Sequence, residues 1–178
     1  MPEFTSAKSD PETGQGGHPN VHYTVGAAGC VLEVDRETGR MRIRKAALAV
    51  DVGKAINPTL IEGQITGGLV QGLATVLYED MRFDDGGKMM NPTFTDYKIP
   101  TSLDTPDEVI PIIVEVPQPD GPFGARGVGE HTMIAAAPVI ANAVHDALGV
   151  RITSMPITQE KIAMSYLEKS RSEPQQEE

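Results

Sequence analysis

The sequence predicts an α+β domain of mixed α/β character, in two layers, with an antiparallel or mixed sheet packed against helices. Three observations predict it. Apolar residues recur with period two over 22–34 and again over 41–52, on either side of a turn. Broad helix-period apolar faces follow over 58–80 and 133–150. No segment repeats at a fixed interval, which fits a single layered domain.

The elements are justified in order. Over 22–34, Cys30, Leu32 and Val34 share one face of a strand. Asp35-Arg36-Glu37-Thr38-Gly39 is a hairpin turn with its glycine late in the loop. Over 41–52, Met41 and Ile43 alternate with Arg42 and Arg44, and the run 46–50 then becomes wholly apolar, as in a strand buried on both faces. Asn57-Pro58 is a helix start, asparagine at the N-cap and proline in the first turn. That helix runs to about Asp80, with Leu60, Ile61, Ile65, Leu69, Leu73 and Val76 on its apolar face. Gly63, Gly67, Gly68 and Gly72 lie inside it, each costing about 0.5–1 kcal/mol relative to alanine. Such a cost implies close approach of a ligand or another backbone on one reading, and tight helix packing on the other.

Residues 83–90 fit a short hairpin around Asp85-Gly86-Gly87, 91–100 is irregular, and 109–116 is an apolar strand interrupted by Pro111. The run 133–150 contains Pro138, which predicts a kink or a helix proper beginning near Ala137, and Gly149 closes it. Residues 152–157 read as a last short strand, and Thr158 caps a helix from Gln159 to about Leu167. The domain thus occupies 18–168. It sits between a leader over 1–17 and an acidic tail over 169–178, both without periodicity and read as disordered. The opening Met-Pro-Glu-Phe also fits residues left by cloning.

At 178 residues the chain can form one domain with a core, or one half of a larger assembly. Tryptophan is absent and aromatics are 4%, so the core must rest on Ile, Val, Leu, Ala and Met. A net charge of −10 argues against nucleic-acid binding, which needs basic patches to neutralise phosphates. Cys30 is the only cysteine, which excludes an intrachain disulfide and a cysteine-rich metal or iron–sulfur site. No signal peptide or apolar run of membrane-spanning length occurs, and the expected location is cytoplasmic.

The stretch richest in chemistry is Gly121-Pro122-Phe123-Gly124-Ala125-Arg126-Gly127-Val128-Gly129-Glu130-His131-Thr132. Its glycines allow close backbone approach to a bound group, and the helix-like run behind it makes a ready anion site. A phosphate loop is excluded, because Glu130 stands where a lysine is needed and His131 where Ser or Thr is needed. What remains is a carboxylate beside backbone donors. It can serve as a general base whose basicity is set by burial. It can equally be a first-turn glutamate complementing the helix dipole, worth about 0.3–1 kcal/mol.

Gly124-Ala125-Arg126-Gly127-Val128-Gly129-Glu130 resembles the glutamate loop of the xanthine dehydrogenase and aldehyde oxidase family of molybdenum hydroxylases. Two further stretches are similar, in the same order. One is Asp51-Val52-Gly53-Lys54-Ala55-Ile56-Asn57-Pro58, running on to Glu62-Gly63-Gln64-Ile65 and Gly67-Gly68-Leu69-Val70-Gln71-Gly72-Leu73. The other is Asn91-Pro92-Thr93-Phe94-Thr95-Asp96-Tyr97-Lys98-Ile99-Pro100. The resemblance covers about 18–162, and only the C-terminal part of that family's large molybdenum-binding subunit. It implies half of a molybdopterin-binding domain.

By matching position, the resemblance makes Glu130 the catalytic base for hydroxylation of an electron-poor carbon in an aldehyde or N-heterocycle. A positioned base contributes roughly 10²–10⁴-fold. Gly127, Val128 and Gly129 would supply close backbone approach beside the metal's ligands, and Gln71 would hydrogen-bond near an oxo ligand and the pterin. Gly67, Gly68 and Gly72 would line the cofactor, and no residue is assigned as a direct metal ligand. The implied cofactor is molybdopterin with molybdenum, in the cytosine dinucleotide form, with [2Fe–2S] and FAD on partner chains. The implied partners are the remaining molybdenum-subunit domains, iron–sulfur and flavin subunits, and a small-molecule substrate, with no nucleic acid and no membrane.

The family typically has proline after the glutamate, and this chain has His131-Thr132, a change expected to reshape the substrate mouth. His131 is either a second polar group there or a capping residue. Arg126 either orients substrate or forms a surface ion pair. Alone, the chain is expected to show no turnover and to expose apolar surface that favours self-association. A reading of a different class makes it a non-catalytic structural or assembly module of the same fold.

Overall fold

The computed structural model describes residues 9–16 and 23–172; His18, His22 and the end of the acidic tail fall outside them. Within the expected leader, residues 9–16 make a turn in which the Asp10 carboxylate accepts the N–H groups of Glu12 and Thr13.

Strand β1 (Gly26–Val34) pairs antiparallel with β2 (Met41–Asp51), placing Ala28 opposite Leu48 and Leu32 opposite Ile43. The turn between them is held by the Asp35 carboxylate, which accepts from the N–H groups of Glu37 and Thr38. Gly39 adopts a φ of 69° there, and a side chain at that position would strike the backbone of Gln159. Val31 pairs with Lys45 but Leu32 with Ile43, so Arg44 is the extra residue of a bulge. Its guanidinium reaches Glu33 at 2.7 Å and Asp107 at 2.9 Å.

Helix α1 (Pro58–Leu77) is capped by Asn57, whose Oδ1 accepts from the Leu60 N–H at 3.1 Å. It stops short of the expected Asp80, because Tyr78 leaves the helical region and both Tyr78 and Glu79 N–H groups donate to the Ala74 carbonyl. Phe83 and Met89 form the bridge of the expected hairpin. Strand β3 (Glu108–Val114) then joins β2 in parallel, giving a mixed sheet in the order β1-β2-β3. The Val52 N–H donates to the Val114 carbonyl, so backbone alternation turns Pro111, three residues earlier, toward the free edge. That is where a residue without an N–H is tolerated.

After a short 3-10 turn at Pro122–Gly124, the long helix expected over 133–150 is divided. One turn, α2 (His131–Ile134), precedes α3 (Ala136–Leu148), and Pro138 falls in the first turn of α3, where its missing N–H costs nothing. Gly149 ends α3 at a φ of 67°, donating to the His145 carbonyl. Helix α4 (Gln159–Ser172) begins after Thr158, whose hydroxyl accepts from the Lys161 N–H. It runs past the expected end because the Lys169 ammonium reaches back to cap the Leu148 carbonyl at the end of α3.

Residues 152–157 form no strand. The Ile157 N–H donates to Val76 at the end of α1, and its side chain plugs the core. That core lies between one sheet face, with Ala46, Leu48, Val50 and Val52, and the helices, with Ile65, Leu69, Ile140, Val144 and Ile162. The run 46–50 is therefore buried on one face only. Ala47 and Ala49 are half-buried on the other, which no described helix covers. No helix among the described residues is long and apolar enough to cross a membrane.

Candidate functional site

The glutamate loop is hung from the end of β2. The Arg126 N–H donates to the Val52 carbonyl at 2.8 Å, and the Lys54 N–H donates to the Gly124 carbonyl at 2.7 Å. Gly53 sits between them at a φ of 66°, and a methyl group there would collide with the Gly124 carbonyl and lie 2.9 Å from the Arg126 nitrogen. Two stretches distant in sequence, 52–54 and 124–126, are thereby held as one short ladder. The Gly124 carbonyl accepts a second bond from the Gln118 N–H, which closes the turn on its other side.

A buried ion pair locks this ladder. Asp51 accepts the N–H groups of Gly53 and Val116 through Oδ1, while Oδ2 lies 3.2 Å from the Arg126 guanidinium. The two side chains are only 9% and 13% exposed. Arg126 also donates to the Tyr23 carbonyl at 3.0 Å. It is thus neither the surface ion pair nor the freely presented substrate contact that the sequence left open. Its buried Nε finds no acceptor among the described residues. Asp51 was not among the predicted site residues; its signal was a carboxylate ending an apolar strand immediately before the Gly53 turn.

The far end of the loop rests on α1. Thr132 is 1% exposed, and its hydroxyl lies 2.6 Å from the Gly129 carbonyl and 3.2 Å from that of Gln64. A side chain at Gly68 would overlap Thr132, and one at Gly72 would lie 2.5 Å from the Met133 carbonyl and 2.6 Å from the Ala136 methyl. For Gly68 and Gly72, the close approach expected of a cofactor comes from the chain's own helices α2 and α3. Gly63 and Gly67 are different: a side chain at either would meet open space. Gln71 is exposed and lies one helical turn beyond Gly67. Helix α1 therefore presents one glycine register inward and a bare stripe, Gly63-Gly67-Gln71, outward.

In the loop, Gly127 and Gly129 also face open space. The backbone N–H groups of Gly127, Val128, Gly129 and Glu130 pair with no described acceptor. Glu130 itself is exposed, contrary to the burial expected of a tuned base; its carbonyl accepts from the Met133 N–H at 3.0 Å, which leaves the carboxylate clear of the backbone. The loop feeds the single turn α2 rather than a long helix, so helix-dipole support for an anion is small and the loop donors carry that role. His131 opens α2 and is half-buried. The motif over 91–100 is not part of this cluster. Buried Asn91 instead bonds the Arg82 N–H and the Asp80 carbonyl, closing the hairpin after α1.

The family model for the molybdopterin cofactor-binding domain matches residues 2–106. The chain belongs to the molybdopterin cofactor-binding domain family. Among curated relatives, it is 35% identical over 144 residues to the 6-hydroxypseudooxynicotine dehydrogenase complex subunit gamma of Paenarthrobacter nicotinovorans, covering 80% of this chain and 18% of that one. It is 37% identical over 129 residues to the carbon monoxide dehydrogenase large chain of Afipia carboxidovorans, covering 72% and 16%. The solved aldehyde oxidoreductase from Desulfovibrio gigas superposes with a TM-score of 0.81 at 34% identity, covering 91% of this chain and 17% of that one. The chain spans less than a fifth of the length of these relatives.

The resemblance to molybdenum hydroxylases and the mixed α/β molybdopterin-binding fold are thus both correct. The site residues fit the family's cofactor in two respects. An oxygen-rich, anionic group needs unpaired donors, and the loop offers four N–H groups. A bulky group needs clearance, and the bare stripe of α1 with Gly127 and Gly129 provides it.

Proposed function

We propose that this chain supplies one wall of the molybdopterin site in a molybdenum hydroxylase, with Glu130 as general base. The observation that carries this reading is the loop, fixed at one end by Asp51–Arg126 and at the other by Thr132. It holds a run of unpaired N–H groups and the Glu130 carboxylate just ahead of Thr132, which packs on α1 at Gln64 and Gly68.

When bound, the molybdenum centre supplies an activated oxygen nucleophile and accepts electrons from the carbon being oxidised. The chain's residues do the rest. Glu130 holds a carboxylate in reach of the proton released as the nucleophile forms, and its exposure in the isolated chain ends when the remainder of the site closes over it. The N–H groups of Gly127 to Glu130 stabilise negative charge without bringing a titratable group. Gln71 donates an amide hydrogen bond and leaves the net charge unaltered. Rigid attachment at both ends keeps the carboxylate in one place, which a glycine-rich loop would not otherwise achieve.

The cofactor is molybdopterin in its cytosine dinucleotide form, and the substrate an aldehyde or N-heterocycle. Electrons leave through [2Fe–2S] and FAD centres on companion chains, in the cytoplasm. Two observations support companions. The matched relatives are far longer than this chain, and large apolar side chains stand in water, with Leu103 94%, Phe123 90%, Phe94 77% and Ile134 70% exposed. Alone, the chain self-associates through such surface and does not turn over. Tagging the chain in its native cell and assaying molybdenum per chain with co-eluting proteins tests the reading. Near-stoichiometric metal with larger partners supports it. A metal-free, partner-free chain contradicts it and leaves a structural or assembly module.

A further inference from the structure

The free edge of β1 is built differently from that of β3. The Asp51 N–H donates to the Val25 carbonyl at 2.9 Å, which sets the strand's alternation. The backbone groups of Ala27, Gly29 and Val31 then face β2, and those of Gly26, Ala28 and Cys30 face outward. No described residue pairs with that outer edge. Soluble proteins blunt such edges with proline, lysine or a bulge. β3 has Pro111 turned outward. β1 reads Gly-Ala-Ala-Gly-Cys-Val-Leu-Glu-Val, without proline or lysine, and the sheet's one bulge lies on β2.

Along the same edge runs a groove of about 460 Å³ between β1 and α3, lined by Ala28, Cys30, Pro138, Val139, Asn142 and Asp146. Its strand side is small and apolar. Its far side carries Asp146, exposed and without an ion-pair partner among the described residues. Only an extended backbone satisfies both the N–H and the C=O groups of an edge strand; a helix laid in the groove would leave them unpaired.

We propose that β1 and this groove form a strand-addition site. Its occupant is an extended segment with small apolar side chains and a basic residue opposite Asp146, contributed by another part of the molybdenum subunit. This rests on the reading that the chain is one portion of such a subunit. A second copy is the poorer occupant, since each copy carries a net charge of −10 and its β1 segment brings no basic residue to set opposite Asp146.

The test uses the whole chain and a capped peptide of about eight residues, alternating valine and threonine with one central lysine, followed by amide exchange in NMR. It needs no molybdenum, so it can succeed or fail independently of the cofactor reading. At saturation, the Ala28 and Cys30 amides should slow by about 10-fold or more while those already bonded to β2 change little. Ala28→Pro removes one outward N–H and should abolish binding. Asp146→Asn should weaken it several-fold and flatten its salt dependence. If Ala28→Pro does not fold, the exchange pattern and Asp146→Asn decide the matter. Unchanged exchange at Ala28 and Cys30, or binding indifferent to Asp146→Asn, overturns the proposal. A dimer of the chain through β1 also overturns it, by making the occupant a second copy.

Discussion

The Arg126 guanidinium and the Asp51 carboxylate meet at 3.2 Å in a nearly dry pocket, joining the end of β2 to the base of the glutamate loop. Asp51 spends its other oxygen on two backbone N–H groups, of Gly53 and Val116, so a single carboxylate organises three segments. Position at the loop is therefore controlled from a residue far upstream in sequence. Arg126→Ala leaves the Asp51 charge buried with only its N–H donors. It should destabilise the chain by about 3 kcal/mol, toward the lower end for a broken buried pair. Urea denaturation checks this, and a double-mutant cycle with Asp51→Asn should return a coupling above about 1 kcal/mol.

The two glycine registers of α1 make opposite predictions. Gly67 faces open space, so Gly67→Ala should stabilise the isolated chain by about 0.5–1 kcal/mol through helix propensity. Gly68→Ala drives a methyl group into Thr132, whose Cβ would lie 2.7 Å away, and should destabilise by about 1–3 kcal/mol. Thermal melts of the two variants separate them. In the assembled protein, the proposed cofactor wall predicts that Gly67→Ala lowers molybdenum content despite the gain in stability, its methyl group taking up part of the bare stripe.

Much of this was legible in the sequence, for physical reasons. Asn57-Pro58 and Pro138 restrict the backbone locally and Gly149 frees it for a positive φ, and the elements begin or end where they predict. The candidate loop was visible because its glycines and carboxylate match a family motif, and two further stretches match in the same order; the glycines and carboxylate alone fit a first-turn glutamate equally well. What was not legible depends on pairing across distance. Nothing local distinguishes Gly67 from Gly68; only the placement of Thr132 does. Residues 152–157 have a strand's composition, yet their backbone bond goes to the end of α1. The burial of Arg126 requires Asp51 to arrive from another element.

Acid should weaken the fold through the charge cluster at the β2 bulge. The guanidinium groups of Arg42 and Arg44 hold the Asp107 carboxyl down at about 2, below its ordinary 3.8. Glu33 is lowered by Arg44, and Asp104 by the Thr101 N–H, in the same direction. A carboxyl depressed in the folded state contributes stability above its unfolded value and loses it as pH falls through the folded one. Urea midpoints should hold steady above about pH 5 and decline between about pH 4 and 2. Asp107→Asn should flatten part of that decline.

At high pH the sign reverses. Burial, then the neighbouring Asp104 carboxylate, pushes the Tyr78 hydroxyl up to about 12. A group raised in the folded state favours folding below its unfolded value, near 10, and loses that contribution as pH climbs through about 12. The Tyr97 hydroxyl is raised too, by its hydrogen bond to Glu79, so absorbance titration should show late ionisation at both tyrosines, and Tyr78→Phe should remove only the Tyr78 share of it.

The most direct test of the account is Glu130→Gln in the assembled protein, with molybdenum content and turnover measured on the same sample. The account predicts metal content equal to that of the unaltered protein with turnover reduced at least about 10²-fold, because the amide keeps the shape of the carboxylate and cannot take the proton. Turnover within a few-fold of the unaltered protein, at equal metal content, would show that Glu130 is not the base.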